Sequence, residues 1–198
     1  GTQALNRLIV ACGVSSSLEG VPGIDLAVFW RDSLVAATAA SKLAPRLQAD
    51  AESAYVCGLL HGTGHLILCR TYPDIANAMF TGFAVLRGAE LAATEAECFG
   101  IDHGAVGALW VDTLGFPQEV ADTIRKATQP VGDSRTPLDL TLRGACALAA
   151  SIANGEAADA ALAALPPAVL ATFRGADGRP DAAFAKLYDA LAETASSL

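Results

Sequence analysis

The stretch GLLHGTGHLIL, residues 58–68, decides the fold prediction. Two leucines end one apolar helical run. The glycines at positions 62 and 64 then interrupt the helix, because glycine favours helix ends and turns over helix interiors. The three apolar residues that follow predict a short buried turn or helix. Two of the three histidines of the chain, His61 and His65, flank this break, so the chemistry of the protein depends on them and on His103.

The composition around this stretch favours an all-helical domain. The chain has 198 residues, of which 53% are hydrophobic and 17% are charged. It is long enough to bury a core and too apolar to be disordered. Alanine is abundant, whereas β-branched and aromatic residues are too few to favour a sheet.

Apolar periodicity and helix-end signals predict a succession of helices joined by short loops. The first carries Leu5, Leu8, Ile9 and Cys12 on one face. The second is capped by Asp25, carries Leu26, Trp30, Leu34 and Ala37 on its apolar line, and closes near Pro45. A third helix is expected from about residue 51 to the break at 62–64, a fourth over 73–86, and a fifth over 88–99 with Gly100 as a left-handed cap. The sixth is capped by Asp102, with Val106, Leu109 and Trp110 facing inward, and after the turn at 115–117 a seventh runs through Val120 and Ile124. The last three are expected over 137–153, 157–164 and 181–195.

Charge and cysteine content exclude several classes of function. The net charge is −8 and the 13 basic residues are scattered, which disfavours binding to nucleic acid or to an anionic membrane surface. No apolar stretch reaches the ~20 residues of a spanning helix. The five cysteines lack metal-binding spacing and sit in apolar runs, so they are interpreted as buried thiols of a cytoplasmic protein.

Three blocks in order carry a resemblance to a known family. The block FWRDSL, residues 29–34, precedes the stretch at 58–68, and Glu95, residues 99–103 (FGIDH), residues 106–108 (VGA) and Phe116-Pro117 follow it. Together they resemble the HDOD domain, a branch of the HD phosphohydrolase superfamily, most clearly over residues 29–130. The resemblance implies an all-α, compact multi-helix bundle of the HD-domain type. Residues 1–198 would form one HDOD-like domain, with a C-terminal helical part over 137–198, as a fragment lacking the N-terminal helices.

Departures from the HD pattern imply the loss of its metal site. An active site of this type needs several converging His and carboxylate ligands to activate a water and polarise a phosphate. Here Gly62 stands where a carboxylate should follow His61, Asp32 replaces a histidine, and Ala127-Thr128 replaces a histidine pair. We therefore expect no catalytic residue, no bound metal and no cofactor, with Asp32, His61 and His103 as vestigial positions.

The same polar residues also have a purely structural interpretation, which we weight more heavily. His61 would cap the end of its helix, Asp102 and Asp32 would serve as caps or ion-pair partners, and His103 would occupy the first turn of its helix. His65 is expected to be half exposed. Buried polar groups are kept by hydrogen bonds more often than by metals.

The function implied by the resemblance is regulation in bacterial signalling. The first hypothesis is a non-catalytic domain that binds other signalling proteins or fused domains. The alternatives are a residual metal-dependent phosphohydrolase that uses Asp32, His61 and His103, and a module that binds nucleotides or cyclic nucleotides without turnover. The sequence does not fix the oligomeric state.

A candidate interaction surface follows from helical spacing. Phe80, Phe83 and Leu86 recur on one side of the predicted helix at 73–86, with Met79 and Val85 beside them, although the same stripe could simply be core. Trp30 and Trp110 are expected to pack in the core. Trp30→Ala should then cost roughly 3–5 kcal/mol of stability.

Overall fold

The fold is helical, as the sequence predicts. The computed structural model describes residues 21, 23–82, 88–129, 136–174 and 181–197. For residues 80–82 it describes the backbone alone. In these ranges the elements are α-helices joined by turns, and no strand occurs. The helices are α1 (Leu26–Leu47), α2 (Ala51–Leu60), α3 (Thr63–Thr71), α4 (Pro73–Gly82), α5 (Gly88–Phe99), α6 (His103–Thr113), α7 (Gln118–Ala127), α8 (Pro137–Ala153), α9 (Ala158–Ala163), α10 (Pro167–Ala171) and α11 (Ala182–Ser196).

The chain divides into two compact units that alternate along the sequence. The first comprises the described parts of Gly1–Ala27 and Leu60–Pro130, and the second comprises those of Val28–Leu59 and Val131–Leu198. All three histidines belong to the first unit, whereas Asp32 belongs to the second. No helix in the described ranges is long and apolar enough to span a membrane.

Glycines allow the helices of the first unit to approach closely. Helix α6 packs against both α3 and α7. A Cβ atom at Gly107 would lie 3.3 Å from a methyl group of Ile124 in α7, and one at Gly104 would lie 2.6 Å from the Thr128 hydroxyl. A Cβ atom at Gly64 would clash with the carbonyl oxygen of His103. These contacts fix α3 and α7 on the small-residue face of α6.

The second unit is built around the alanine-rich helix α1. A Cβ atom at Gly58 in α2 would lie 2.6 Å from the Cα atom of Ala37, so the two backbones meet directly. Near the end of α1, Arg46 donates a hydrogen bond of 2.7 Å to the Thr172 carbonyl and pairs with Asp181. The same guanidinium lies 4.3 Å from the ring centroid of Phe173, which joins α1 to the C-terminal helices.

Local sequence signals explain where the helices begin and end. Asp25 accepts a hydrogen bond from Ala27 N, as expected of a residue that caps α1. Thr136 and Asp139 form a reciprocal capping box at the start of α8, which Pro137 leads. Gly100 ends α5 with φ of 77°, the left-handed conformation predicted for it.

The structure corrects several predictions about which faces are buried. Leu109 is 56% exposed, and Val106 and Trp110 are only partly buried, so the predicted inner face of α6 is wrong. The buried residues are His103, Gly104, Gly107, Ala108 and Val111, most of which are small. Cys98 is exposed rather than buried.

Two helix assignments also change. Pro45 lies inside α1, which continues to Leu47 instead of closing at the proline. The short helix α10 was not predicted, although Pro166 and Pro167 precede its apolar residues. The predicted first helix, residues 5–12, lies outside the described residues.

Trp30 is half-buried, not a core residue. Its ring makes an edge-on contact with Phe29, with the centroids 5.1 Å apart. We therefore lower the expected cost of Trp30→Ala to about 2 kcal/mol, since full burial underlies the larger figure. Leu43→Ala, at a fully buried position of the same helix, should cost about 2–5 kcal/mol and serves as the comparison. Urea unfolding of both variants tests this, and a larger loss for Trp30→Ala than for Leu43→Ala would contradict it.

Candidate functional site

The polar centre of the first unit is Glu95, on α5. Its side chain is fully buried at 0% exposure, which is unusual for a carboxylate unless it is paired. Oε1 lies 2.6 Å from Nδ1 of His65, and Oε2 lies 2.5 Å from Nδ1 of His103. Oε2 also accepts a hydrogen bond of 2.8 Å from the backbone N–H of His103. One carboxylate thus joins α3, α5 and α6.

Three elements place these side chains. His65 is in the first turn of α3, directly after Gly64, whose lack of a side chain permits the close approach to α6. His103 is the first residue of α6, and Asp102 caps that helix by accepting a hydrogen bond of 2.8 Å from Ala105 N. The predicted roles of Asp102 as a cap and of His103 as a first-turn residue are confirmed.

The electrostatics of Glu95 favour its ionised form. Burial alone raises the pKa of the carboxyl group, but the hydrogen bonds from His103 and His65 and the charge of His103 outweigh burial and lower the pKa from 4.5 to about 2. An ionised carboxylate can only accept, so both Nδ1 atoms carry hydrogen and donate to it. This assigns the tautomer of any neutral ring, with Nε2 left as its acceptor.

Cys69 extends the cluster by one residue. It lies one turn after His65 in α3, with its sulfur 3.7 Å from Nε2 of that ring. Burial and the negative charge of Glu95 raise the pKa of the Cys69 thiol to about 12. The thiol therefore stays protonated at neutral pH, and a protonated thiol is a poor nucleophile.

Acid pH should expose the contribution of Glu95 to stability. Because its pKa is lower in the folded chain, its contribution is complete above pH 4.5 and is lost as the pH falls through about 2. A shift of that size corresponds to about 3 kcal/mol. We expect the stability gap between wild type and Glu95→Gln, from urea unfolding, to shrink between pH 6 and pH 2. A gap that stays constant would contradict the lowered pKa.

The other predicted site residues have separate surroundings. His61 directly follows the last residue of α2 and is partly buried. The carbonyl of Leu60 at this helix end accepts a hydrogen bond from the Thr63 hydroxyl at 2.7 Å, a capping contact that was not predicted. In the second unit, Asp32 forms an ion pair of 2.9 Å with Arg31.

Two sequence expectations about the site need correction. The His65 side chain is only 12% exposed, so it is mostly buried rather than half exposed. Glu95 appeared in the sequence only as part of the family resemblance, and its role as the shared acceptor was missed. The available signal was an acidic residue one turn after the buried Ala92, on the inner face of α5.

The described donor set does not fit a metal centre. No group of three or more His, Cys, Asp or Glu side chains is placed to hold a metal ion within the ranges that the structure covers. Both oxygens of Glu95 accept hydrogen bonds from imidazoles, which would have to give way before the carboxylate could bind a cation. The geometry favours a structural hydrogen-bond network across three helices.

The predicted interaction surface is largely untested. Phe83 and Leu86 lie outside the described residues, and for Phe80 only the backbone in α4 is described. Met79, expected beside them on the surface, is buried at 3% exposure.

Comparison with known proteins identifies the family. The model of the family described as "HDOD domain" matches residues 1–130 of the 198, so the chain belongs to the HDOD family. This confirms the resemblance found in the sequence. No curated protein matches the chain.

Two solved structures share the fold. One, described as "Putative phosphohydrolase", comes from Shewanella amazonensis SB2B. It is 26% identical, with a TM-score of 0.70 over 98% of this chain and 69% of that one. The other is a fragment of the response regulator MmoQ from Methylococcus capsulatus, 28% identical, with a TM-score of 0.56 over 83% of this chain and 62% of that one. The HD-type helical fold is thereby confirmed, and the family and MmoQ indicate a role in signalling.

Proposed function

Taking membership of the HDOD family as the premise, we propose that this chain is a regulatory domain that acts by binding other proteins and does not hydrolyse phosphate esters. Its partners would be other signalling proteins or domains of the same polypeptide. The response regulator MmoQ, a relative of similar fold, supports a signalling context.

The observation that carries the proposal is the engagement of Glu95. A hydrolytic metal site needs carboxylate oxygens and imidazole nitrogens that converge on an ion. Here the buried carboxylate accepts hydrogen bonds from Nδ1 of both His65 and His103, so it could bind an ion only by losing one of these contacts. A cluster of this kind holds helices in register. Nε2 of each ring is not bound to Glu95, but no group of three or more possible ligands converges on an ion within the described residues.

Two further features support the proposal. Gly62 follows His61, which removes the carboxylate that the HD pattern places there. Asp32, the third vestigial position, is engaged by Arg31 through both Nε and Nη2. A guanidinium at this distance repels a cation and competes for the carboxylate.

The second candidate is a residual metal-dependent phosphohydrolase or a nucleotide-binding module. One observation favours it: the relative from Shewanella amazonensis carries the description "Putative phosphohydrolase". In this case His61 and His103 would have to bind a metal ion, and His103 would have to do so through Nε2, because its Nδ1 is held by Glu95.

Metal content separates the two candidates. We expect the purified domain to contain less than about one tenth of a Zn, Mn or Fe ion per chain, because a chain with few available ligands holds such ions weakly. Elemental analysis of protein dialysed without chelator measures this. A content near one ion per chain that is lost in His61→Ala but retained in a folded Asp74→Ala control, at an exposed acidic position, would favour the enzyme.

Partner binding tests the other half of the proposal. In a pull-down from the native host, wild type and His61→Ala should recover the same proteins in equal amounts, because binding does not require the vestigial ligands. A folded Phe83→Asp variant tests the surface predicted from the sequence. Loss of every partner in His61→Ala would contradict the proposal.

A further inference from the structure

The outer face of α6 is apolar although it is exposed. Val106, Leu109 and Trp110 recur at i, i+3 and i+4, and Leu114 follows directly after the last turn. Leu109 is 56% exposed and Leu114 is 37% exposed, while Val106 and Trp110 are half-buried. Residues at this spacing lie side by side on one helix face, so the four form a continuous patch, here named the α6 stripe.

The opposite face of α6 already has its packing partners. Gly104, Gly107, Ala108 and Val111 are buried, and α6 packs against α3 and α7. The helix is thus apolar on both sides, which is the pattern of a helix that is covered all round. Helix α7 provides the contrast within the same unit, since it buries Val120 and Ile124 and turns Gln118 and Glu119 to solvent.

We propose that the α6 stripe is a docking site for an amphipathic helix of a partner protein, with an apolar face flanked by Lys or Arg. The inference rests on the proposed function, because it names the surface and the partner chemistry of a protein-binding domain. Helix-in-groove recognition uses apolar anchors at i, i+3 or i+4, and i+7 on the incoming helix. The stripe runs over residues 106–114, about 12 Å at 1.5 Å per residue, which suits a partner helix of two to three turns.

The negative charge at the ends of α6 favours a partner with basic residues. Helix α6 carries no Lys or Arg, and carboxylates stand at both of its ends, at Asp102 before its first residue and at the exposed Asp112 in its last turn. The whole chain has a net charge of −8. Lys and Arg flanking an incoming apolar face would lie against these carboxylates. This complementarity would speed association and would fix the alignment of the incoming helix along α6.

A second copy of this chain fits the stripe poorly. Two α6 helices packed in register would bring Asp102 and Asp112 against the same carboxylates, whether the helices run parallel or antiparallel. Each copy would also bring its own net charge of −8. Like charges placed against each other oppose association.

The intrinsic fluorescence of Trp110 provides a direct test. The chain has two tryptophans, so Trp30→Phe leaves Trp110 as the only one, beside Leu109 on the stripe. The probe is a synthetic 14-residue helical peptide with Leu at i, i+3, i+4 and i+7 and Lys at the polar positions. We expect a saturable blue shift of Trp110 emission, and a Kd at least about tenfold weaker when Glu replaces Lys in the peptide.

Matched variants locate the binding surface. Leu109→Ser should weaken binding of the Lys peptide at least about tenfold, as expected for the loss of a central apolar anchor. Ile75→Ser, at a position that is 38% exposed in α4, should leave the Kd unchanged. Calorimetry gives the same comparison without relying on the tryptophan next to the substituted residue.

Three results would overturn the inference. They are no binding of the Lys peptide, equal binding of the Lys and Glu peptides, and a Kd that Leu109→Ser leaves unchanged. Self-association of wild type that Leu109→Ser abolishes would also reject it, in favour of a second copy as the occupant. Failure of the proposed function is a separate result, because metal-dependent hydrolysis would be detected without any peptide present.

Discussion

Glu95→Ala is expected to lower the free energy of unfolding by about 3–5 kcal/mol, the usual cost of removing one partner from a buried ion pair. The substitution leaves the imidazole N–H groups of His65 and His103, and the backbone N–H of His103, without their acceptor. It also empties the space of a fully buried side chain where three helices meet. Urea unfolding at pH 7, with the midpoint and slope fitted separately, measures the loss.

Two variants sharpen this test. Glu97→Ala changes an exposed glutamate two residues further along α5 and should stay within about 0.5 kcal/mol of wild type. Glu95→Gln keeps the shape of the side chain but has one acceptor oxygen for two imidazole donors, so it should fall between the two alanine variants. Equal stability of Glu95→Ala and Glu97→Ala would show that the network does not hold the fold.

Gly64→Ala is expected to cost about 3 kcal/mol or more, at the upper end of the range for overpacking a core. The added methyl group would collide with the carbonyl oxygen of His103 and lie 2.7 Å from the amide nitrogen of Gly107. Both atoms belong to the backbone of α6, so no side-chain rotation relieves the clash. Helix α3 would have to move away, and His65 would move with it from Glu95.

Gly62→Ala is the matched control two residues earlier. Gly62 has φ of −92° and ψ of −5°, so its φ is negative and lies outside the left-handed region that favours glycine. We expect a change of less than about 1 kcal/mol, because alanine restricts the unfolded chain without straining the folded one. Thermal unfolding of both variants compares them, and a Gly64→Ala variant as stable as Gly62→Ala would contradict the described approach of α3 to α6.

The ends of the helices could be predicted from the sequence because local chemistry sets them. A glycine in the left-handed region ends α5, and a threonine followed by a proline begins α8, as their positions in the sequence indicate. Pro45 is the exception. It lies near the end of α1, where one proline was not enough to stop the helix.

The buried face of α6 could not be predicted because it is made of small residues. Sequence reasoning assigns the large apolar side chains to the core, which placed Leu109 and Trp110 inside. The glycines of α6 instead let the backbones of α3 and α7 approach, and this close contact excludes larger groups. The large residues then face outward, where the α6 stripe lies.

The role of Glu95 was missed for a different reason. Its two partners are 8 and 30 residues away in the sequence, so no local pattern connects them. Periodicity places Glu95 on the inner face of α5 but does not show which donors meet it there. Only the approach of His65 from α3 and of His103 from α6 explains why a carboxylate is buried at this position of α5.

The most direct test of the central claim is the hydrolysis of nucleotides and cyclic nucleotides, followed by chromatography, with Mg²⁺, Mn²⁺ or Fe²⁺ added. We predict that wild type and His61→Ala both give only the rate of the metal ion alone. Hydrolysis by wild type over many turnovers, with a metal requirement and with loss of activity in a folded His61→Ala variant, would contradict it. The chain would then be an enzyme rather than a domain that only binds other proteins.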